Sequence, residues 1–394
     1  MAPDLNLSTP TGIRDWPAEA AGTKRIVENK LADLFASWRY EEVITGTIEY
    51  EDVIGRGLND EEKSQLYRFF GREGEAFTLR PDMTTPIARF VASQLAGAPL
   101  PIRLFYTGNV FRHEKPQAGR YREFFQAGIE LIGTDTGRAD AEVIILASEA
   151  LRTLGVEDFK IGVGQVQLLD LLLEMTCLPD QTKNLLKQSI ADKDYVTVNS
   201  IIESASLVEE EKELLNSLSL VQSGEEFFER LAGKPLPSPI KIQLERLRDV
   251  YDSLAAAGLM DNVFIDLGIT RDFEYYTGIV FEVYSPALGF PICGGGRYNN
   301  LFGRFGFPCP ATGFALGIER ILLVLKRVGK LPSSNSKQLL VYGKDFKKLL
   351  GAAAGLRSQG FAVEIDLEGK SREELEKYAR AAGMELLGVP AEEE

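Results

Sequence analysis

The apolar positions change period several times along the chain, and each change predicts an element. Over residues 20–38, Val27, Leu31, Leu34 and Trp38 recur at helical spacing and predict a helix. RYEEVITGTIEY (39–50) alternates as a strand does, AFTLRPD (76–82) reads as strand into turn, and residues 84–95 read as a helix. IRLFYTGNVFRHE (102–114) and EFFQAGIELIG (123–133) are β-rich runs on either side of a basic loop at 115–122. Val143, Ala147, Ala150 and Leu154 place a helix over 140–154. From about residue 178 to 258 the chain turns polar and helix-favouring, as in LVEEEKELLNSL, without a catalytic pattern. β-character returns in NVFIDLG and YYTGIVFEVYS and leads to a glycine turn expected at 294–296. GFALGIERILLVLKRVG then reads as strand into helix, and KLPSSNSK (330–337) as a linker. Beyond it the pattern is β-α-β-α-β, with Ser371 and Glu374 spaced as a capping box for the last helix.

These elements predict an α+β fold centred on an antiparallel sheet flanked by helices. The expected boundaries are a core from 1–177 and 259–330, a helical insertion at 178–258, a linker at 331–337 and a small α/β domain at 338–394. A length of 394 residues fits more than one domain. No apolar run approaches a membrane span, and MAPDLNLSTP has neither the basic start nor the apolar core of a signal peptide. Cys177, Cys293 and Cys309 are scattered, without CxxC spacing, so neither a disulfide framework nor a zinc site is expected and a cytoplasmic setting fits. No cofactor is expected.

Charge sharpens the picture. The net charge is −14 and the pI about 4.9, which argues against sequence-independent nucleic-acid binding. Yet FRHEKPQAGRYREFFQ (111–126) gathers Arg112, Lys115, Arg120 and Arg122. Guanidinium forks suit phosphate or carboxylate oxygens, while the plainer reading is a solvated hairpin loop. His113, the single histidine, stands among these cations and is a poor basis for histidine-dependent hydrolysis. In TRDFEYYTGIVFE, a core strand by pattern, Arg271 needs a partner. In CGGGRYNNLFGRFG the glycines allow a tight turn or close backbone approach, but no GxGxxG opens a helix and no Walker pattern is present.

The order of these segments resembles the class II aminoacyl-tRNA synthetase core, and within it the histidyl branch, over roughly residues 8–330. PTGIRDWP is similar to that branch's N-terminal segment, FRHEKPQAGRYREFFQAGIELIG to motif 2 and GFALGIERI to motif 3. YYTGIVFE and GGGRY resemble its two histidine-recognition segments. The resemblance implies that Arg112 and Arg320 hold ATP phosphates and that Glu114 and Phe124 meet adenine. It implies a histidine pocket from Asp82, Thr84, Gln126, Glu130, Tyr275, Tyr276 and Tyr298, with Arg271 facing the substrate carboxylate and the reacting phosphate.

Three departures redirect the expectation. LRPDMT stands where the synthetase has Leu-Arg-Pro-Glu-Gly-Thr, so Asp82 is one methylene short and Met83 adds bulk beside the ligand. RDFEYY places Asp272 where the synthetase has glycine, opposing a triphosphate by charge. The tail resembles an anticodon-binding domain that ends early and acidic, a poor platform for tRNA. LRPDMTTPIAR and GGGRYNNLFGRFGFPCPATGFAL are similar to the family of ATP phosphoribosyltransferase regulatory subunits, histidyl-synthetase-like proteins of histidine biosynthesis. That resemblance implies no catalysis by this chain and a short-form catalytic subunit as partner. It also implies L-histidine as effector, with Arg112, Glu114, Phe124 and Arg320 a vestigial nucleotide site. A homodimer through residues 20–50, with Trp38 as a buried anchor, follows from the class II core. The main rival is an active histidyl-tRNA synthetase; an interaction module outside histidine synthesis is a third reading, and the acidic balance weighs against RNA.

Overall fold

The computed structural model describes residues 7–114, 121–205, 207–219, 221, 223–234, 236–269, 276–333 and 337–390. The chain separates into two compact units, Met1–Pro332 and Ser333–Glu394.

The first unit opens with helix α1 (Ala18–Ser37), whose Val27, Leu31 and Phe35 are fully buried at helical spacing. Short elements follow: β1 (Glu41–Glu42), β2 (Ile48–Tyr50), α2 (Glu51–Ile54), α3 (Asp60–Ser64), β3 (Arg68–Phe70) and β4 (Ala76–Leu79). Helix α4 (Thr84–Phe90) runs into a π-helical stretch, Val91–Leu95. β5 (Ile102–Phe111) and β6 (Glu123–Ile132) pair antiparallel over their full length, from Ile102↔Ile132 to Phe111↔Glu123. α5 (Gly137–Thr153) starts at Thr136, whose side chain accepts from the Ala139 N–H as an N-cap should. Then come β7 (Lys160–Gln165), α6 (Val166–Glu174), α7 (Asp180–Ala191), α8 (Tyr195–Ser204), α9 (Glu209–Ser219), α10 (Gly224–Leu231) and α11 (Ser238–Ala256). The unit closes with β8 (Val263–Ile265), β9 (Ile279–Tyr284), β10 (Pro291–Arg297), β11 (Ala311–Gly317) and α12 (Ile318–Arg327).

The large sheet has the order β1-β5-β6-β11-β10-β9-β7-β8. Its inner pairs are antiparallel, and only the end pairs β1·β5 and β7·β8 are parallel. On one face α1, α5 and α12 bury Phe35, Val143, Ile144, Ile321 and Leu325 against Ile129 and Phe314. Each such side chain contributes about 1.5–3 kcal/mol of burial. The opposite face carries the candidate site. α7 and α8 form a cluster of their own around Leu186, Ile190, Val198 and Ile202, whereas α10 and α11 insert Phe227, Leu247 and Val250 into the main core.

Two expectations change. The run 39–50 is not one strand: β1 lies in the large sheet, and β2 in a small sheet of order β2-β4-β3. Between them Arg80 holds the chain, its Nη1 donating to the Thr45 carbonyl at 2.9 Å and its backbone N–H to Thr47 at 3.0 Å. The buried-exposed alternation runs through the break because period reports burial, not which strand is the neighbour. Nor is Gly294–Gly296 a turn; it lies inside β10. A Cβ on Gly295 would sit 2.7 Å from Phe314 Cα and closer still to the Gly313 carbonyl oxygen, so the glycine serves close strand approach.

The second unit is a parallel sheet of order β13-β12-β14, from β12 (Gln338–Tyr342), β13 (Ala362–Ile365) and β14 (Glu385–Gly388). α13 (Phe346–Ser358) and α14 (Arg372–Ala382) make the crossovers. Ser371 and Glu374 form the reciprocal capping box at α14, and Gly383, at φ 69°, ends it in the left-handed conformation.

Candidate functional site

Beside the large sheet lies a cavity of about 360 Å³. Its floor comes from β5, β6, β10 and β11, and its rim from the start of α4 and α12. Strand register explains the space. Tyr106 on β5 lies opposite Gly128, and Glu130 on β6 opposite Gly313. Directly opposed side chains stand only about 4.5–5.5 Å apart at Cβ, so a large residue facing the cavity needs a glycine beside it. A Cβ on Gly128 would fall 2.8 Å from Tyr106 Cζ.

At one end the walls are acidic and aromatic: Asp82, Thr84, Tyr106, Gln126, Glu130, Tyr276 and Tyr298. Glu130 is buried; its Oε1 accepts from the Thr84 hydroxyl at 2.7 Å and its Oε2 from the Tyr298 hydroxyl. Burial pushes the Glu130 carboxyl well above the usual carboxylate range, against the Thr84 hydrogen bond and with the charge of Asp82. Burial likewise raises Asp82, opposed by hydrogen bonds from Thr85 and the charge of Arg112. Asp82 also caps α4, accepting from the Thr85 N–H at 2.6 Å and the Thr85 hydroxyl at 3.0 Å. Tyr276 and Tyr298 meet edge to face, 6.2 Å between centroids. Such an end suits a ligand that brings donors or positive charge, an ammonium or an imidazole, to two acids held in a dry wall.

The other end is cationic. Arg112 donates from Nε to the Pro81 carbonyl at 2.8 Å, stacks 5.4 Å from the Phe124 ring and lies 3.8 Å from Glu114. Arg320, in the first turn of α12, donates from Nη1 to the Pro291 carbonyl at 2.6 Å and lies 5.2 Å from the Phe290 ring. Backbone and ring contacts hold both planar groups in place, as anion recognition requires. Glu319 accepts from the Phe125 N–H, with Arg14 at 3.6 Å.

Asp82, Thr84, Gln126, Glu130, Tyr276, Tyr298, Arg112, Glu114, Phe124 and Arg320 therefore line one cavity. Arg271, Asp272 and Tyr275 lie outside the described residues, as do Lys115 and Arg120. Met83 departs from expectation: it does not crowd the ligand space but packs into the apolar cluster with Ile87, Tyr106 and Tyr298, its sulfur turned towards Gly108. At the residue preceding α4, the side chain points down into the core. Tyr106, Glu282, Tyr284, Cys293 and Glu319 also line the cavity, and sequence reasoning missed them. For the four on strands, alternation alone does not separate a cavity wall from a core; Glu319, in the first turn of α12, faces inwards from a helix. Trp38 is half-buried in its own chain, its Nε1 donating to Glu149 at 3.0 Å.

Comparisons with known proteins place this geometry. The sequence family described as histidyl-tRNA synthetase matches residues 12–321. A Moorella thermoacetica protein named ATP phosphoribosyltransferase regulatory subunit is 45% identical over 387 residues, 98% of this chain and 99% of its own. A Symbiobacterium thermophilum protein of the same name is 40% identical over 398 residues, 99% of each chain. A solved Bacillus halodurans structure, named ATP phosphoribosyltransferase regulatory subunit/histidyl-tRNA synthetase, superposes with a TM-score of 0.84 at 32% identity, covering 98% of this chain and 100% of its own. A histidyl-tRNA synthetase from a Nostoc species shares the fold, with a TM-score of 0.83 at 22% identity over 98% and 92% of the two chains.

Proposed function

The chain belongs to the family of ATP phosphoribosyltransferase regulatory subunits, and from that premise we propose that it is the non-catalytic subunit of such an enzyme. It binds a short-form catalytic subunit, which joins ATP to phosphoribosyl pyrophosphate in the first step of histidine biosynthesis, and takes part in feedback by histidine. The observation that carries this reading is similarity along the whole chain, 45% over 98% of it, to a protein of that name. The site is consistent with retired catalysis. Asp82 commits both oxygens to Thr85 and the start of α4, which weakens its use as a grip on a substrate amine.

Within this reading Asp82, Thr84, Gln126, Glu130, Tyr276 and Tyr298, with Arg271 and Tyr275, form the histidine pocket, and Arg112, Glu114, Phe124 and Arg320 a vestigial nucleotide site. Residues 1–177 with 259–330 act as the synthetase-like core, 178–258 as an insertion, 331–337 as a linker, and 338–394 as an anticodon-domain relative that takes no tRNA. No described helix is long and apolar enough to cross a membrane, and the setting we assign is the cytoplasm. The protein pairs with itself through residues 20–50. Supporting this, Ile44, just beyond β1, and Ile48 and Tyr50 on the edge strand β2 are 81%, 56% and 53% exposed. An unpaired edge with outward apolar side chains is a template for a twofold partner.

The test is to mix the protein with the short-form catalytic subunit of the same organism. Co-elution and a rise in turnover that histidine suppresses are expected; no co-elution and no rate change remove the function. Calorimetry on the isolated protein checks the pocket. Heat at millimolar histidine, where even a site of about 4 kcal/mol registers, is lost in Glu130→Gln with folding intact.

A further inference from the structure

The helical insertion is held to the core at two places, each through a buried carboxylate. At the first, Lys193, in the turn between α7 and α8, donates from Nζ to both oxygens of Asp266. Asp266 is 5% exposed, sits just beyond β8 and also takes the Gly268 N–H at 2.9 Å. The two parts approach so closely that a Cβ on Gly268 would lie 2.7 Å from the Ile190 carbonyl oxygen and 2.9 Å from Lys193 Nζ. Lys193 itself has φ 58°, the left-handed conformation disfavoured for a side-chain-bearing residue.

At the second, Arg246 on α11 donates to Asp140 Oδ2 at 3.2 Å and also engages Asp135. The other oxygen of Asp140 accepts from Arg297 Nε at 2.8 Å. Asp140 and Arg297 are both buried, so each carboxylate oxygen has one cation, one from the insertion and one from the end of β10. Arg297 is tied to the cavity's tyrosines through its backbone. Its carbonyl accepts from the Thr277 N–H at 2.7 Å, next to Tyr276, and its neighbour Tyr298 reaches Glu130. Its Nη1 donates to the Thr134 carbonyl at 2.9 Å and to Asn299 Oδ1 at 3.1 Å.

Loss of Arg246 leaves the buried Asp140 with Arg297 as its one cation, so the pull on Arg297 changes when α11 unseats. We propose that Arg246 is a positioning residue for the cavity, acting through Asp140–Arg297. The seating of the insertion and the setting of Tyr276 and Tyr298 are then one equilibrium. This makes the insertion the input by which a protein bound there changes ligand affinity, and by linkage the ligand changes the insertion. It deepens the proposed regulatory role and rests on it for the ligand's identity, though the coupling is measurable without ligand.

The experiment is amide hydrogen exchange on the full chain, wild type against Arg246→Ala, Lys193→Ala and Leu247→Ala. Leu247 is buried on α11 beside Arg246 but outside the ion network, so its loss loosens the helix without cutting the link. The readout is the Thr277 and Tyr298 amides, bonded to the Arg297 and Ala311 carbonyls. Arg246→Ala is expected to speed exchange at both by about tenfold over Leu247→Ala, within the usual range of intersite couplings. Lys193→Ala cuts an ion pair that does not involve Arg297 and is expected to leave both amides as in the wild type. Faster exchange confined to the insertion helices, or equal transmission from Leu247→Ala, overturns the proposal. If exchange transmits but histidine gives no calorimetric heat, the effector assignment falls and the coupling stands.

Discussion

Adding one methyl group at Gly313 tests whether the cavity exists because side chains are missing from its floor. Gly313 lies on β11 opposite Glu130, and it is not among the glycines at positive φ, so alanine meets no backbone penalty there. The obstacle is steric. The new Cβ would stand 3.0 Å from Glu130 Cδ and closer to Glu130 Oε2 and the Ile129 carbonyl oxygen. The carbonyl belongs to the neighbouring ladder and cannot withdraw without parting β6 from β11. Overpacking of this kind costs about 1–3 kcal/mol. If Glu130 swings away, its lost partners Thr84 and Tyr298 add about 1–3 kcal/mol for a buried polar group left unsatisfied. The expected loss is therefore about 2–6 kcal/mol, a large share of the roughly 5–15 kcal/mol of a typical fold. Gly22, on the exposed side of α1 with nothing within 4 Å of its added Cβ, is the matched control. There the same change should stabilise by about 0.5–1 kcal/mol, the ordinary helical preference of alanine over glycine. Urea unfolding followed by circular dichroism reads both, and histidine titration reads the site. Equal unfolding midpoints for the two variants, or unchanged histidine binding in Gly313→Ala, would refute the reasoning.

Three further outcomes are expected. Burial raises the Glu130 pKa in the folded state, so its contribution to stability is fully present below about pH 4.3, the unfolded value, and is lost as pH rises through the folded value. Glu130→Gln should therefore flatten the fall in unfolding midpoint towards neutral pH, and an unchanged slope would assign that fall to other groups. Ile48→Lys should turn the proposed dimer into monomer at micromolar concentration in sedimentation; one isoleucine is worth about 1.5–3 kcal/mol, and a twofold axis counts it twice. Histidine-dependent exchange of pyrophosphate into ATP should be absent, and robust exchange would favour the synthetase reading.

Local order was legible wherever a pattern closes within a few residues. The helix expected over 20–38 is Ala18–Ser37, and the strands on either side of the basic loop became the longest antiparallel pair of the sheet. The Ser371–Glu374 box needs only a three-residue spacing and forms. Illegible features depend on partners far apart in sequence. Arg297 looked like part of a glycine turn, yet its decisive contact is Asp140, 157 residues away. Tyr106 reads as one more apolar position in IRLFYTGNVF, because burial against a cavity and burial in a core leave the same alternation. Glu130 and Tyr298, named from separate motifs, share a hydrogen bond that spacing alone could not supply.

Gly128 and Gly313 also bear on how such a site is lost. Each holds the cavity open by contributing no atoms beyond the backbone, so a descendant can seal it with one added methyl group while every polar wall residue keeps its identity in the sequence. A roll of acids, arginines and tyrosines would then look intact in a protein that no longer admits a ligand. Among relatives sharing Glu130, Tyr298 and Arg112, an occupied site and a fossil would be told apart by the smallest residues on the floor rather than by the charged ones on the walls.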